Sequence, residues 1–133
     1  MAKRILVVDD EPDIRRLVAE ALQSNGYDVR TAANGGEAVR TGALFLPDLV
    51  LLDIMMPDMD GFTVYEKLRE KPCELRSPII FLTARREISD KLLGFEKGAA
   101  DYITKPFHIK ELLARVRVHL GELGPPKGDI PNP

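Results

Sequence analysis

Leu49-Val50-Leu51-Leu52, followed at once by Asp53, is an apolar run with no polar alternation, and it ends on an acid. A strand with one solvated face would alternate, so the unbroken run predicts a strand covered on both faces. Ile5-Leu6-Val7-Val8 and Ile79-Ile80-Phe81-Leu82 read the same way, ending at Asp9-Asp10 and at Thr83. Weaker strand signals span Asp28 to Ala33 and Asp101 to Thr104, the second running into Lys105.

Between these runs the period changes to that of a helix. Ile14, Leu17, Val18, Ala21 and Leu22 form one apolar stripe, entered through Pro12 and stopped by Asn25-Gly26. Asn34 with Glu37 has capping-box spacing and opens a second helix through about Phe45. Asp60-Gly61 opens a third through Leu68; Ile88, Leu92 and Phe95 mark a fourth. Ile109, Leu112, Leu113, Val116 and Leu120 mark a fifth, with Phe107 and Leu112 spaced as a hydrophobic staple across its start. Strand and helix thus alternate five times. With short, right-handed crossovers, that order predicts an α/β fold: a doubly wound, five-stranded parallel sheet with five helices on its two faces.

Length allows one such domain: 133 residues suit a single core and not two. Residues 1–122 carry the pattern, whereas 123–133, with Gly124, Pro125, Pro126, Gly128, Pro131 and Pro133, read as a tail or the start of a linker. A net charge of −2 gives no footprint for direct nucleic-acid binding. The apolar runs fall far below the roughly 20 residues of a membrane span, and the first run ends in acids without a signal-peptide cleavage site. A lone cysteine, Cys73, suits a reducing, cytoplasmic setting.

In an open parallel sheet the carboxyl ends of the strands line one rim, where ligands bind. Asp9, Asp10, Asp53, Thr83 and Lys105 all fall there. Three crowded carboxylates repel unless a cation joins them, and a hard, oxygen-seeking ion such as Mg²⁺ fits best. A carboxylate nucleophile beside a metal, a hydroxyl and an ammonium is suited to phosphoryl transfer, with catalysis by positioning and charge neutralisation.

Five motifs, in this order, resemble the receiver domain of two-component response regulators over residues 3 to 121. They are Val7-Val8-Asp9-Asp10-Glu11, Leu51-Leu52-Asp53-Ile54-Met55-Met56-Pro57, Asp60-Gly61, Leu82-Thr83-Ala84, and Asp101-Tyr102-Ile103-Thr104-Lys105-Pro106-Phe107. The resemblance implies a flavodoxin-like sheet of order 2-1-3-4-5. It implies that Asp53 accepts phosphate from a phosphohistidine on a sensor histidine kinase. Asp10 would ligate Mg²⁺ directly and Asp9 mainly through water, with Asp53 and the Met55 backbone carbonyl completing the protein ligands. Thr83 and Lys105 would bind the phosphoryl oxygens, and the Lys105-Pro106 peptide would be cis. Thr83 and Tyr102 would be the switch pair.

The face made by the fourth helix, fifth strand and fifth helix would carry the output. Lys91, Asp101, Glu111 and Arg115 make the chain most similar to the OmpR/PhoB-type subfamily, in which Lys91–Glu111 and Asp101–Arg115 would pair across a homodimer. Ala100, Gly121 and Glu122 depart from that charge pattern, which implies a weaker dimer, and His108 replaces a stronger helix cap. DNA would be reached only through a C-terminal effector domain.

Rival readings fare worse. A phosphatase of the haloacid dehalogenase type needs a second Asp two residues after the nucleophile, where Met55 stands and cannot move protons. A flavin carrier of the same fold needs a phosphate-cradling loop after the first strand, where acids stand instead. Asp58-Met59-Asp60-Gly61 lacks the ligands of a calcium loop and reads as a turn plus helix cap. Asn34-Gly35-Gly36 is no phosphate loop, and His108 and His119 do not pair as zinc ligands.

Overall fold

A computed structural model of the protein describes residues 2–84 and 98–122. Five parallel strands form one sheet: β1 (Arg4–Val8), β2 (Asp28–Ala32), β3 (Leu49–Asp53), β4 (Ile79–Ala84) and β5 (Asp101–Lys105), in the order β2-β1-β3-β4-β5. Among the described residues four helices cover it: α1 (Pro12–Ser24), α2 (Gly35–Phe45), α3 (Gly61–Arg69) and the C-terminal helix α4 (Ile109–His119). The helical pattern around Ile88, Leu92 and Phe95, the predicted partner residue Lys91 and the tail 123–133 lie outside the described residues.

The central strands are buried on both faces, as their apolar runs require. Along β1, Leu6 and Val8 face one core while Ile5 and Val7 face the other. The first core lies under α2 and α3, with Ala38, Phe62, Val64 and Leu68 packed on Val50, Leu52, Ile79 and Phe81. Under α1 and α4 lies the second, where Val18, Leu22, Leu112 and Val116 pack on Leu49, Leu51, Ile80 and Leu82. Two aliphatic layers thus clamp the sheet, each buried side chain contributing about 1.5–3 kcal/mol.

Local chemistry sets the helix ends. Asn34 Oδ1 accepts the Glu37 amide at 2.9 Å, and Glu37 Oε1 accepts the amide of Ala33, one residue before the N-cap, at 2.9 Å: a variant of the capping box. Asp60 Oδ1 accepts the Thr63 amide at 2.9 Å and opens α3. His108, at the N-cap of α4, makes no side-chain cap bond. At the far end of α4 the Tyr27 hydroxyl, from the α1–β2 turn, donates to Glu122 Oε1 at 2.7 Å. No helix among the described residues is long and apolar enough to cross a membrane.

Candidate functional site

The register of the sheet brings the strand-end residues together. Val8 pairs with Leu52, Asp53 with Leu82, and Ala84 with Lys105, so β1, β3, β4 and β5 finish at one rim. Asp9 and Asp10 follow β1, Asp53 ends β3, Thr83 lies one residue past the partner of Asp53, and Lys105 ends β5. Asp9 and Thr83 are fully buried and Asp53 is 4% exposed. Bare carboxylates are not tolerated at such burial without partners.

Those partners are present. One carboxylate oxygen each from Asp9, Asp10 and Asp53 lies within 4.8 Å of the others, a spacing that a single hard cation can bridge. Lys105 Nζ lies 3.0 Å from Asp9 Oδ2, 3.5 Å from Asp53 Oδ2 and 3.2 Å from Glu11 Oε1. The Lys105-Pro106 peptide is cis. Asp9 Oδ1 accepts the Glu11 amide at 3.0 Å, and Arg15 Nη1 donates to the Asp9 carbonyl at 2.8 Å, fixing the turn after β1. Asp53 Oδ1 accepts the Met55 amide at 3.3 Å.

One ammonium does not balance the acids. Burial first, then the Asp9 carboxylate, push the Asp53 carboxyl up to about 7 from its ordinary 3.8. A hydrogen bond with Asp10 pushes the same way, while Lys105 and the Met55 amide pull back. On Lys105, burial favours the neutral amine, but the hydrogen bond to Asp9 and the charges of Asp53 and Asp9 outweigh it and raise its pKa. The donor set of three carboxylates and no soft ligand matches Mg²⁺ in chemistry.

Of the remaining predicted residues, Thr83 donates its hydroxyl to the Ala84 carbonyl at 3.0 Å. Tyr102 stacks on Phe81 with centroids 5.9 Å apart, and its half-buried ring packs against the core under α2 and α3. Asp101, Glu111 and Arg115 meet within this one chain. Arg115 Nη1 grips both Asp101 oxygens at 3.0 and 2.8 Å, and Arg115 Nε lies 3.3 Å from Glu111 Oε2. His119 Nε2 adds a contact to Asp101 Oδ2 at 3.0 Å. Burial alone would raise the Asp101 carboxyl, but the hydrogen bonds with His119, Arg115 and the Tyr102 amide bring it below its ordinary value.

Sequence reading gave no role to Glu11, the exposed second partner of Lys105, nor to Asp58, whose carboxylate accepts the Gly35 and Gly36 amides at 3.0 and 3.1 Å. Both act across long stretches of chain and carry no periodic signal.

Comparison with known proteins agrees with this geometry. Residues 5–117 match the response regulator receiver domain family. The chain is 46% identical over 117 residues to the DNA-binding dual master transcriptional regulator RpaA of Synechocystis, covering 88% of this chain and 48% of that protein. It is 46% identical to the alkaline phosphatase synthesis transcriptional regulatory protein PhoP of Bacillus subtilis, covering 99% of this chain and 55% of that protein. The chain therefore spans about half the length of these relatives. Among solved structures, a putative response regulator from Chloroflexus aurantiacus superposes with a TM-score of 0.81 at 39% identity, covering 91% of this chain and 99% of the other. The receiver domain of a sensor histidine kinase from Pseudomonas aeruginosa, with a magnesium ion coordinated in its active site cleft, superposes at 0.80 with 32% identity, covering 91% and 99%. Sheet order, rim residues and sequence agree, and the chain belongs to the family of response regulator receiver domains.

Proposed function

We propose that Asp53 is the phosphoacceptor of this receiver domain, taking a phosphoryl group from a phosphohistidine of a sensor histidine kinase in the cytoplasm. The observation that carries this reading is the meeting of Asp9, Asp10 and Asp53 oxygens within 4.8 Å, with the Lys105 ammonium against two of the three acids. In the transfer an Asp53 oxygen attacks phosphorus, the phosphorus–nitrogen bond breaks, and its electron pair returns to the imidazole of the donor. Asp53, Asp10, the Met55 carbonyl and, through water, Asp9 would hold Mg²⁺. When bound, the ion would supply positive charge to offset the acids and the incoming phosphate. Thr83 and Lys105 contribute a hydroxyl and an ammonium to the same oxygens, Lys105 leaving Glu11 and Asp9 to do so.

As a consequence Thr83 turns toward the phosphate and Tyr102 changes its packing on Phe81. The face carrying β5 and α4, with Lys91, Asp101, Glu111 and Arg115, then favours a homodimer or an output domain. In this reading 1–122 is the receiver and 123–133 begins a linker, with DNA contacted only by a further domain such as the longer relatives have room for. The chain assists its own phosphorylation and slow hydrolysis and is not a turnover enzyme, Met55 standing where a phosphatase would place its acid/base.

Incubation with Mg²⁺ and a small phosphodonor tests this. One acid-stable, base-labile phosphate per chain is expected, absent in Asp53→Asn. Labelling that survives the substitution overturns the assignment.

A further inference from the structure

The metal ligand expected from the Met55 carbonyl belongs to a loop, not to the sheet. Residues 55–60 leave β3 and return at α3, and the two feet of this excursion are pinned together. The Ile54 amide donates to the Leu82 carbonyl at 3.1 Å, and the Gly61 amide donates to the Ile54 carbonyl at 2.7 Å. Beyond that, the loop is carried by its own side chains. Asp58 reaches over to α2 and places one oxygen on each of its first two amides, Gly35 at 3.0 Å and Gly36 at 3.1 Å. Met59 lies so close to Gly35 that a Cβ added there would collide with its side chain. The absence of a side chain at Gly35 is thus what allows the loop to seat against α2.

The rest of the helix start does not need Asp58 for capping in the usual sense. Asn34 already takes the Glu37 amide and Glu37 the Ala33 amide. The fork onto Gly35 and Gly36 is additional, comes from 22 and 23 residues away, and ties two different elements rather than one. The Gly35 amide first, and then Gly36, hold the Asp58 carboxyl below its ordinary range, as expected of a carboxylate at a helix N-terminus.

We propose that Asp58 is a positioning residue for the metal site, anchoring the Met55–Asp60 loop on the N-terminus of α2 and thereby holding the Met55 carbonyl in place for the divalent ion. This rests on the reading that Asp9, Asp10 and Asp53 bind that ion. Outer groups that orient a metal ligand typically matter by about 10–100-fold in affinity.

Calorimetric titration with magnesium chloride, together with amide hydrogen exchange, tests it on the whole chain. Asp58→Ala is expected to raise the magnesium Kd about tenfold and to speed exchange at residues 55–59. Asp58→Asn keeps one accepting oxygen and should recover the affinity to within about threefold. Glu37→Ala breaks the other cap of the same helix and should leave the Kd unchanged. Wild-type affinity in Asp58→Ala, or an equal loss in Glu37→Ala, overturns the positioning role and leaves the metal site standing. A wild-type chain that takes up no magnesium overturns the metal reading itself, and this inference with it.

Discussion

Lys105 Nζ lies 3.0 Å from the fully buried carboxylate of Asp9, so the ammonium expected to meet a phosphate is engaged by an acid of the same rim. Its side chain is only 18% exposed, and it is the shared counter-ion of Asp9 and Asp53. Removing one partner of a buried pair costs more than the pair contributes, because the remaining charge is stranded. Lys105→Ala should therefore destabilise the metal-free domain by about 3 kcal/mol, and saturating Mg²⁺ should restore part of that. Urea unfolding with and without Mg²⁺ checks both. The variant should still accept phosphate while its output face no longer responds; dimerisation equal to wild type after phosphorylation would contradict the coupling.

The protonation of Asp53 gives the metal-free domain a distinctive pH dependence. Its carboxyl holds a proton up to about pH 7 in the native state, against 3.8 ordinarily, so between those values the folded state binds more protons than the unfolded. The stability linked to this group is present in full below pH 3.8 and declines as pH rises to about 7, by up to about 4 kcal/mol. Denaturation midpoints measured in chelator should fall between about pH 5 and pH 7. The slope should be lost in Asp53→Asn and opposed by Mg²⁺, which favours the ionised acid.

Asp101 behaves in the opposite sense. Its pKa is lowered, so the stability it contributes is present above the ordinary carboxylate range and is lost as pH falls through the lowered value. Asp101→Asn should cost about 1 kcal/mol near neutrality, because the pair with Arg115 is partly exposed. It should also make the acid limb of the unfolding curve shallower. Circular dichroism of both proteins across that limb provides the comparison.

Gly61 is the point where α3 presses on the end of β3. A Cβ there would stand 2.6 Å from the Asp53 carbonyl oxygen and 2.8 Å from Ile54 Cα, both backbone atoms that cannot step aside. Gly61→Ala should displace the end of β3, costing on the order of 2 kcal/mol and slowing Asp53 labelling on the order of tenfold or more. Labelling at the wild-type rate would mean that the strand end tolerates the shift.

Local chemistry was readable in the sequence. The Asn34–Glu37 box and the Asp60 cap are decided within four residues, and the unalternating runs of β1, β3 and β4 follow from burial on two faces. From these runs alone the strand-end acids fall at one rim. Boundaries moved slightly: β4 runs on to Ala84 because β5 pairs with it through Lys105, and α3 continues to Arg69. Contacts made across the chain by exposed side chains were not readable. Asp58 looked like part of the turn before α3 and instead binds the start of α2, while Glu11 meets Lys105 from 94 residues away. Asp101 and Arg115, expected to pair across a homodimer, also meet within one chain, where Arg115 Nη1 reaches Asp101 at the start of β5. Complementary charge alone does not say which copy supplies the mate.

The bond from Tyr27 to Glu122 fixes the point of departure for anything attached after the C-terminal helix. Tyr27 immediately precedes β2, so that exit lies at the strand beginnings, whereas Asp53 stands at a strand end, roughly 15 Å further along the strand direction. A group tethered there starts from the edge of the sheet opposite the acid rim. The five-stranded sheet stands between the two, as a beam stands between its two ends.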